Sequence, residues 1–471
     1  MQRARPPHPI TVLALLLLPC PGALSAAGAQ EPEGQGEAKR IESLEGQLES
    51  LRVELESLKE RLDSGERGTD PSSGGGVETR PFFERDPVSR RPLRDVYDKP
   101  FLLDLWRRAH VGGYFELEFH GYENEIRQIP RGFRLHRTNL FVFADIADNL
   151  RFASEIEFEY EAPGEDLETN VEMAFIDWIL YRELVFRAGA LLAPLGRVNL
   201  DHDGPTRELT DRPMVSTFVI PTTLTDPGVG FHGTFSLGDR LGAGYQIYAT
   251  NGFDILDDQG NLATPFTERE RLLQEGKPSN GGDSNKSVST MGRLSLTGSL
   301  GEKQDEKDET TSYEVGFSWH VGNYDERNRN LLAILAGDFA VLHGPLSLEG
   351  EVARASFERD AFSRASGVPD NYSGFYVQAA WSFLPESLPR RAPHVFGNPG
   401  SAFTAVVRYD FVDLDGDRAS ALEPGINFRP FGDTVFKFSY RFGWLEFNAL
   451  DTPALRDSDS SGFSFSVSSY F

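Results

Sequence analysis

The chain has 471 residues, one cysteine, and 72 acidic against 47 basic side chains, a net charge of −25. With no sustained basic patch, that balance excludes a nucleic-acid partner. No apolar run reaches the roughly eighteen residues of a transmembrane helix, which still leaves room for a membrane barrel, whose strands show only short alternation.

The N-terminus carries Arg3 and Arg5, an apolar core from Ile10 to Leu18, and an Ala27-Gly28-Ala29 cleavage candidate. This predicts a secretory signal peptide over 1–29. Its removal takes the charge from −25 to −27 and also removes Cys20, which Pro19 makes a poor lipoprotein cysteine. The mature chain then has no thiol for disulfides, zinc–thiolate sites or cysteine nucleophiles. Residues 30–64 predict a short periplasmic coiled coil. Ile41, Leu48, Leu55 and Leu62 fall at heptad position a, and Leu44, Leu51 and Leu58 at d. Arg40 opposite Glu45 and Glu54 opposite Lys59 suit parallel chains, so these seven residues are the predicted oligomerisation seam. The competing reading is one amphipathic helix lying on its own domain, which the narrow seam and the charged flanks disfavour. Residues 65–110 read as a linker. Its second half clusters Arg80, Arg85, Arg90, Arg91, Arg94, Arg107 and Arg108 with Phe82, Phe83, Tyr97 and Trp106. It is either a tether or a segment that meets an acidic barrel mouth or lipid headgroups.

From Val111 to Phe471 alternating segments follow one another, separated by turn residues. In the segment from Arg151 to Tyr160, Phe152, Ile156, Phe158 and Tyr160 lie on one face, with Arg151, Glu155, Glu157 and Glu159 on the other. Successive strand side chains face opposite sides, so one face suits lipid and the other water. The pattern recurs at Val171-Met173-Phe175, Tyr313-Val315-Phe317-Trp319-Val321, and Phe436-Phe438-Tyr440-Phe442-Trp444, and ends at Phe463-Phe465-Val467. The parity slips at 133–144 and 346–354. About sixteen segments are expected, starting near residues 111, 131, 149, 169, 183, 226, 240, 287, 310, 329, 345, 371, 401, 418, 432 and 461. Connections mostly alternate long and short, as long outer loops and short periplasmic turns require. That alternation weakens at 385–400, too long for its place, and at 415–417, too short. The fold class is therefore all-β, a transmembrane antiparallel barrel of about sixteen strands over 111–471, preceded by the helical coiled coil.

The segment 193–225 stands apart. It holds Pro194, Pro205, Pro213 and Pro221, which neither a helix nor a central strand tolerates. Leu195, Val198, Leu200, Leu209, Met214, Val215, Phe218 and Ile220 argue against disorder. A long, apolar, structureless loop is usually functional, and the prediction is a loop folded inward to narrow a pore.

The stretch ALLAPLGRVNL, then RELTDRP, then IPTTLTDPGVGFHG, over 190–233, resembles the third loop and following strand of the phosphate-selective porin family. The first strand, Gly112-Gly113-Tyr114-Phe115-Glu116-Leu117, and the pattern Gly425-Ile426-Asn427-Phe428 before Phe436-Lys437-Phe438-Ser439-Tyr440 fit as well. The resemblance covers roughly 111–471, and only the loop region is specific. It implies a sixteen-stranded outer-membrane porin, usually trimeric, with a periplasmic arm that can be a short coiled coil. It also implies that the strand ending at Phe471 is offered to the barrel-insertion machinery. Phosphate-selective members owe their anion preference to a column of arginines and a lysine cluster. Here the faces read as inward carry Arg151, Arg187, Arg293, Arg408 and Arg441, and the loop carries Arg197, Arg207 and Arg212. The same faces carry Glu155, Glu157, Glu159, Glu172, Glu314 and Asp410, and lysines are few. Arginine forks suit phosphate or carboxylate, whereas a wall of both signs favours polar or zwitterionic solutes.

Asp201-His202-Asp203 belongs to the expected constriction with the three loop arginines. Three adjacent residues rarely converge on one ion, so neither a metal site nor any cofactor is expected. Asp413, Asp415 and Asp417 with Gly416 lack EF-hand spacing and read as a solvated turn. The expected function is passive diffusion of small hydrophilic solutes, including anions such as phosphate, across outer-membrane lipid. Two alternatives remain: a structural tether from outer membrane to cell wall through the coiled coil, and a barrel hydrolase. No motif surrounds the serines near His136 and His320, so an enzyme is not expected.

Overall fold

The computed structural model describes residues 109–122, 131–160, 167–264, 270–278, 280, 287–301, 311–446 and 458–471. The expected signal peptide, the coiled coil with its seam from Ile41 to Leu62, and the linker up to residue 108 lie outside the described residues.

The strands are β1 (Ala109–His120), β2 (Gly132–Ala147), β3 (Leu150–Glu159), β4 (Glu168–Tyr181), β5 (Leu184–Leu192) and β6 (Thr225–Ser236). Next come β7 (Leu241–Thr250), β8 (Ser289–Leu300), β9 (Thr311–Asn323), β10 (Leu331–His343), β11 (Leu346–Phe357) and β12 (Asn371–Phe383). The last are β13 (Ala402–Leu414), β14 (Asp417–Phe431), β15 (Thr434–Glu446), β16 (Ser458–Asp459) and β17 (Gly462–Tyr470). The two-residue β16 and β17 both pair with β15, so they are two pieces of one staggered final strand and the barrel has sixteen staves. Each stave begins within two residues of the position expected from the alternation, counting the last from Gly462.

Every neighbouring pair is antiparallel, and β1 pairs with β17, so the sheet closes on itself. At the seam the Gly113 N–H donates to the Phe471 carbonyl at 3.0 Å, and the Phe471 N–H donates back at 2.9 Å. Closure leaves no row of unpaired backbone groups facing hydrocarbon, where each would cost several kcal/mol. Side-chain chemistry follows the same division. On β15, Phe436, Phe438, Tyr440, Phe442 and Trp444 are exposed, while Lys437, Ser439 and Arg441 between them are buried. Exposed aromatics beside buried charges invert the order of a water-soluble sheet, as expected when lipid surrounds the barrel and the polar groups face its interior.

Two β-bulges account for one slipped parity and overturn one expected face. Glu155 opposes Met173 while Ile156 opposes Val171, so Glu172 is an extra residue in β4. Val171 faces out, but Met173 and Phe175 are buried inside, so Val171-Met173-Phe175 is not one face. Likewise Glu116 opposes Arg137 and Leu117 opposes Leu135, leaving His136 as the extra residue in β2. Bulges re-aim side chains, and both put a polar one inside. At 346–354 apolar residues lie on both faces. Leu346, Leu348 and Val352 face out, while Ala353 meets an apolar cluster within the lumen.

The two uneven connections are real. Residues 384–401 contain two short helical turns, Ser387–Arg391 and Pro393–Phe396. Between β13 and β14 only Asp415 and Gly416 remain, both left-handed with φ of 60° and 102°, as an Asp-Gly hairpin favours. There Asp413 accepts from the Gly416 N–H at 2.8 Å and from Arg418 Nε at 2.9 Å, so this carboxylate is occupied by turn bonds.

The lumen is not empty. Phe253, Ile255, Leu256, Leu272 and Leu273, from 251–264 and 270–278, belong to the same buried apolar cluster as Val215, Val219 and Ile220 of the segment 193–225.

At the seam, a Cβ on Gly113 would lie 2.2 Å from the Asn139 carbonyl and 2.8 Å from the Phe471 ring. Gly113→Val should destabilise the closed barrel by about 1–3 kcal/mol. The check is the urea midpoint at which the compact, heat-modifiable gel band is lost.

Candidate pore constriction

The chain leaves β5 at Leu192 and returns at Thr225, and Asn199 staples the neck. Its Nδ2 donates to the Ala193 carbonyl at 2.8 Å and the Leu224 carbonyl at 3.1 Å, and its Oδ1 accepts from the Leu224 N–H at 2.8 Å. The first turn needs glycine. Gly196 has φ +71°, and a Cβ there would meet the Glu351 carboxylate at 2.6 Å. That carboxylate accepts from the Arg197 N–H at 2.6 Å and the Val198 N–H at 3.3 Å, and from Ser216 Oγ at 2.9 Å, so it holds both limbs of the loop.

From this anchor on β11 the loop crosses to the opposite wall. Lys437 Nζ donates to the Gly204 carbonyl at 2.7 Å, and Arg429 Nη1 to the Pro205 carbonyl at 2.9 Å. Arg207 donates to both Glu116 oxygens at 2.8 and 2.7 Å. Asp211 accepts from Arg441 at 2.6 Å and from the Tyr122 hydroxyl at 2.8 Å. The loop then returns along β13, where Asp410 accepts from the Met214 N–H at 3.0 Å. A single helical turn, Val215–Phe218, follows. Strands β1, β9, β11, β13, β14 and β15 are all bonded to this one segment, so it spans the lumen.

The loop triad Asp201-His202-Asp203 does not converge. Asp201 accepts from Thr206 at 2.6 Å and Asp203 from the Tyr470 hydroxyl at 2.6 Å, while His202 turns to Glu172. Arg197 donates to Glu314 at 2.8 Å and lies 3.6 Å from Glu349. Burial works against its charge, but those two carboxylates outweigh it and hold the guanidinium above its ordinary range. Arg212 instead donates to the Thr222 carbonyl at 2.8 Å. Burial, together with Arg137 and Arg207, brings it down to about 10.

The inward arginines of the wall are paired too. Arg187 forms a two-pronged pair with Asp177, both arms 2.7 Å, over the Phe175 ring. Arg293 bonds Asp338 and Glu314, and Arg408 bonds Asp410 at 2.6 Å and Glu423 at 3.1 Å. Arg151 sits at the rim with Asp145 at 3.0 Å. Among the acids, Glu155 accepts from Asn139 at 2.8 Å, Glu157 from Arg137 at 3.0 Å, and Glu159 lies 2.5 Å from His136.

Sequence reasoning missed most of these partners: Glu116, Asp177, Asp338, Glu349, Glu351, Glu423 and Lys437. A usable signal existed for some. Asp177 opposes Arg187, Glu116 opposes Arg137 and Glu423 opposes Arg408 in strand register, so cross-strand pairing of inward residues would have found them.

Between the loop and the short-turn end of β9–β12 lies a cavity of about 660 Å³. Arg197, Arg207 and Arg408 line it together with Asp201, Glu208, Asp211, Glu314 and Glu349, so carboxylates outnumber guanidiniums.

A closed barrel with a lipid-facing aromatic exterior and a charged interior crossed by a loop is the architecture of an outer-membrane porin, a channel for small solutes. A family model described as phosphate-selective porin O and P matches residues 110–461, most of the chain, and the protein belongs to that family. An Aquifex aeolicus protein described as uncharacterized is 25% identical over 350 residues, covering 70% of this chain and 74% of its own. Similar solved structures include an anion-selective porin from Comamonas acidovorans, 11% identical with a TM-score of 0.47, covering 77% of this chain and 99% of that one. Another is the outer-membrane channel DcaP of Acinetobacter baumannii, 9% identical with a TM-score of 0.43, covering 77% and 97% respectively.

Glu351→Ala should free the loop. It strips one acceptor from three donors, and an orphaned buried donor costs about 1–3 kcal/mol. Trypsin added to the folded barrel should then cut after Arg197 or Arg207 at least about tenfold faster than in the unaltered protein. Equal rates would show that the loop is held elsewhere.

Proposed function

We propose that the protein is a passive diffusion pore of the bacterial outer membrane in which loop 193–225 sets the narrowest section. The observation that carries this reading is the path of the loop, bonded at Glu351 on one wall and at Glu116 and Arg441 on the other. Solutes pass the loop through a corridor of fixed charges, which replace part of the water an ion sheds on entry.

The family's description supports anions such as phosphate as solutes, with Arg197, Arg207 and Arg212 as the positive side of the constriction. Arg151, Arg187, Arg293, Arg408 and Arg441, with Glu155, Glu157 and Glu159, line the approaches. The pairing of these arginines sets the limit. A phosphate that takes the Arg197 or Arg207 fork displaces Glu314 or Glu116, so anions cross by exchange with carboxylates rather than by falling into open forks. The pore is therefore weakly selective and admits small polar and zwitterionic solutes. Three barrels assemble in the membrane through their outer walls and through the periplasmic coiled coil at 41–62, after insertion guided by the strand ending at Phe471.

Planar-bilayer recording tests the assignment. Currents should rise in steps grouped in threes, with a reversal potential close to zero under a salt gradient. Replacing Arg197, Arg207 and Arg212 together by Gln should shift the reversal potential toward cation selectivity. An unchanged value would remove these residues from the selectivity filter, and folded protein that gives no steps would remove the pore.

A further inference from the structure

We propose that Glu155, Glu172 and His202 form a site for one divalent cation of the zinc class, which ties the lumen loop to β3 and β4. One ligand atom from each residue lies within 4.8 Å of the other two, and all three side chains are buried. The residues come together from three elements: Glu155 from β3, Glu172 from the bulge in β4, and His202 from the loop.

The hydrogen bonds orient the imidazole as a ligand. His202 Nδ1 lies 3.0 Å from the Asn199 carbonyl, which can only accept, so Nδ1 carries the proton. Nε2 faces Glu172 Oε2, 3.3 Å away, so the ring nitrogen and the carboxylate turn toward one point, which a proton or a metal cation can occupy. A backbone carbonyl on the distal nitrogen is also the usual outer support of a metal-bound histidine.

Two further buried oxygens beside the cluster have no hydrogen-bond partner. Asn139 is fully buried, and its Nδ2 reaches Glu155 Oε1 at 2.8 Å and Glu172 Oε2 at 3.1 Å. Its Oδ1 has no partner. As placed, the amide donates to both carboxylates; turned over, it would offer its oxygen to a cation they share. The Tyr114 hydroxyl is likewise fully buried without a partner, in the field of Glu155, Glu172, Asp203 and Arg137. Each of these two oxygens calls for a partner, which an ordered water or a ligand would supply. The nearby cations are engaged with other groups. Arg137 bonds Glu157 at 3.0 Å and Arg212 the Thr222 carbonyl at 2.8 Å, while Thr223 occupies the other Glu172 oxygen at 2.9 Å.

One imidazole nitrogen and two carboxylates, with the fourth position open to water or to the turned amide of Asn139, match zinc-class coordination. Calcium prefers six to eight oxygens and magnesium keeps most of its water, so neither suits this set. The second cluster of this kind, Glu116, Glu118 and His136, differs because Arg207, Arg134 and Lys437 already approach its acids.

The proposal concerns binding and does not rest on conduction. The full folded protein, freed of metal by a chelator, is titrated with Zn²⁺ in a calorimeter. One equivalent per chain is expected, unaffected by excess Ca²⁺. His202→Gln and Glu155→Gln, each confirmed as folded by heat-modifiable gel mobility, should weaken binding by at least about a hundredfold. His136→Gln should leave it intact. Zn²⁺ should also slow tryptic cleavage of the loop in the unaltered protein. Absence of a bound equivalent, or binding that survives His202→Gln, would overturn the site.

Discussion

Everything in this molecule follows from one constraint: no backbone donor or acceptor is left facing hydrocarbon. Sixteen strands satisfy it together because the last pairs with the first, through the register from Tyr114 with Tyr470 to His120 with Ser464. Closure has a second effect. It creates an inside from which lipid is excluded, so every other side chain along a strand is free to be polar. That is why Lys437 and Arg441 can alternate with Phe436, Phe438 and Tyr440 on one strand.

A charged interior raises its own difficulty. Guanidiniums and carboxylates removed from bulk water are costly unless paired with good geometry. The loop answers part of that demand. Arg207 on Glu116, Arg197 on Glu314 and Asp211 on Arg441 each join a loop charge to a wall charge of opposite sign. Such pairs contribute little net stability compared with apolar packing, but they specify where the loop lies. Its apolar residues provide the packing. Val215, Val219 and Ile220 share one buried apolar cluster with Phe253, Ile255 and Leu256, and each fully buried side chain of this size is worth about 1.5–3 kcal/mol. The segment is thus held by apolar contact on one flank and by ion pairs on the other.

The bulges connect backbone irregularity to chemistry. An extra residue at Glu172 and another at His136 each break the alternation once. Without the first, Glu172 and Met173 would face opposite sides. With it, the carboxylate reaches Thr223 and His202 of the loop while Met173 still packs inside. The interior surface is therefore richer in functional groups than a strictly alternating strand could make it.

Much of this was legible in the sequence, for a physical reason. Strand positions follow from a local rule, period-two alternation enforced by lipid on one side and water on the other, so the segment starts could be read to within two residues. The Asp415-Gly416 turn is legible in the same way, because left-handed backbone selects those residues. The expected face at Val171-Met173-Phe175 failed because a bulge is one unpaired residue, and its position depends on the neighbouring strand rather than on its own sequence. The pairing of Arg197, Arg207 and Arg441 was beyond reach for a deeper reason: their partners lie 117, 91 and 230 residues away and meet only once the barrel is closed. Local chemistry determined which residues face lipid and which face the lumen. Only the closed tertiary structure decided which charge meets which, because that depends on distances across the barrel that no periodicity encodes.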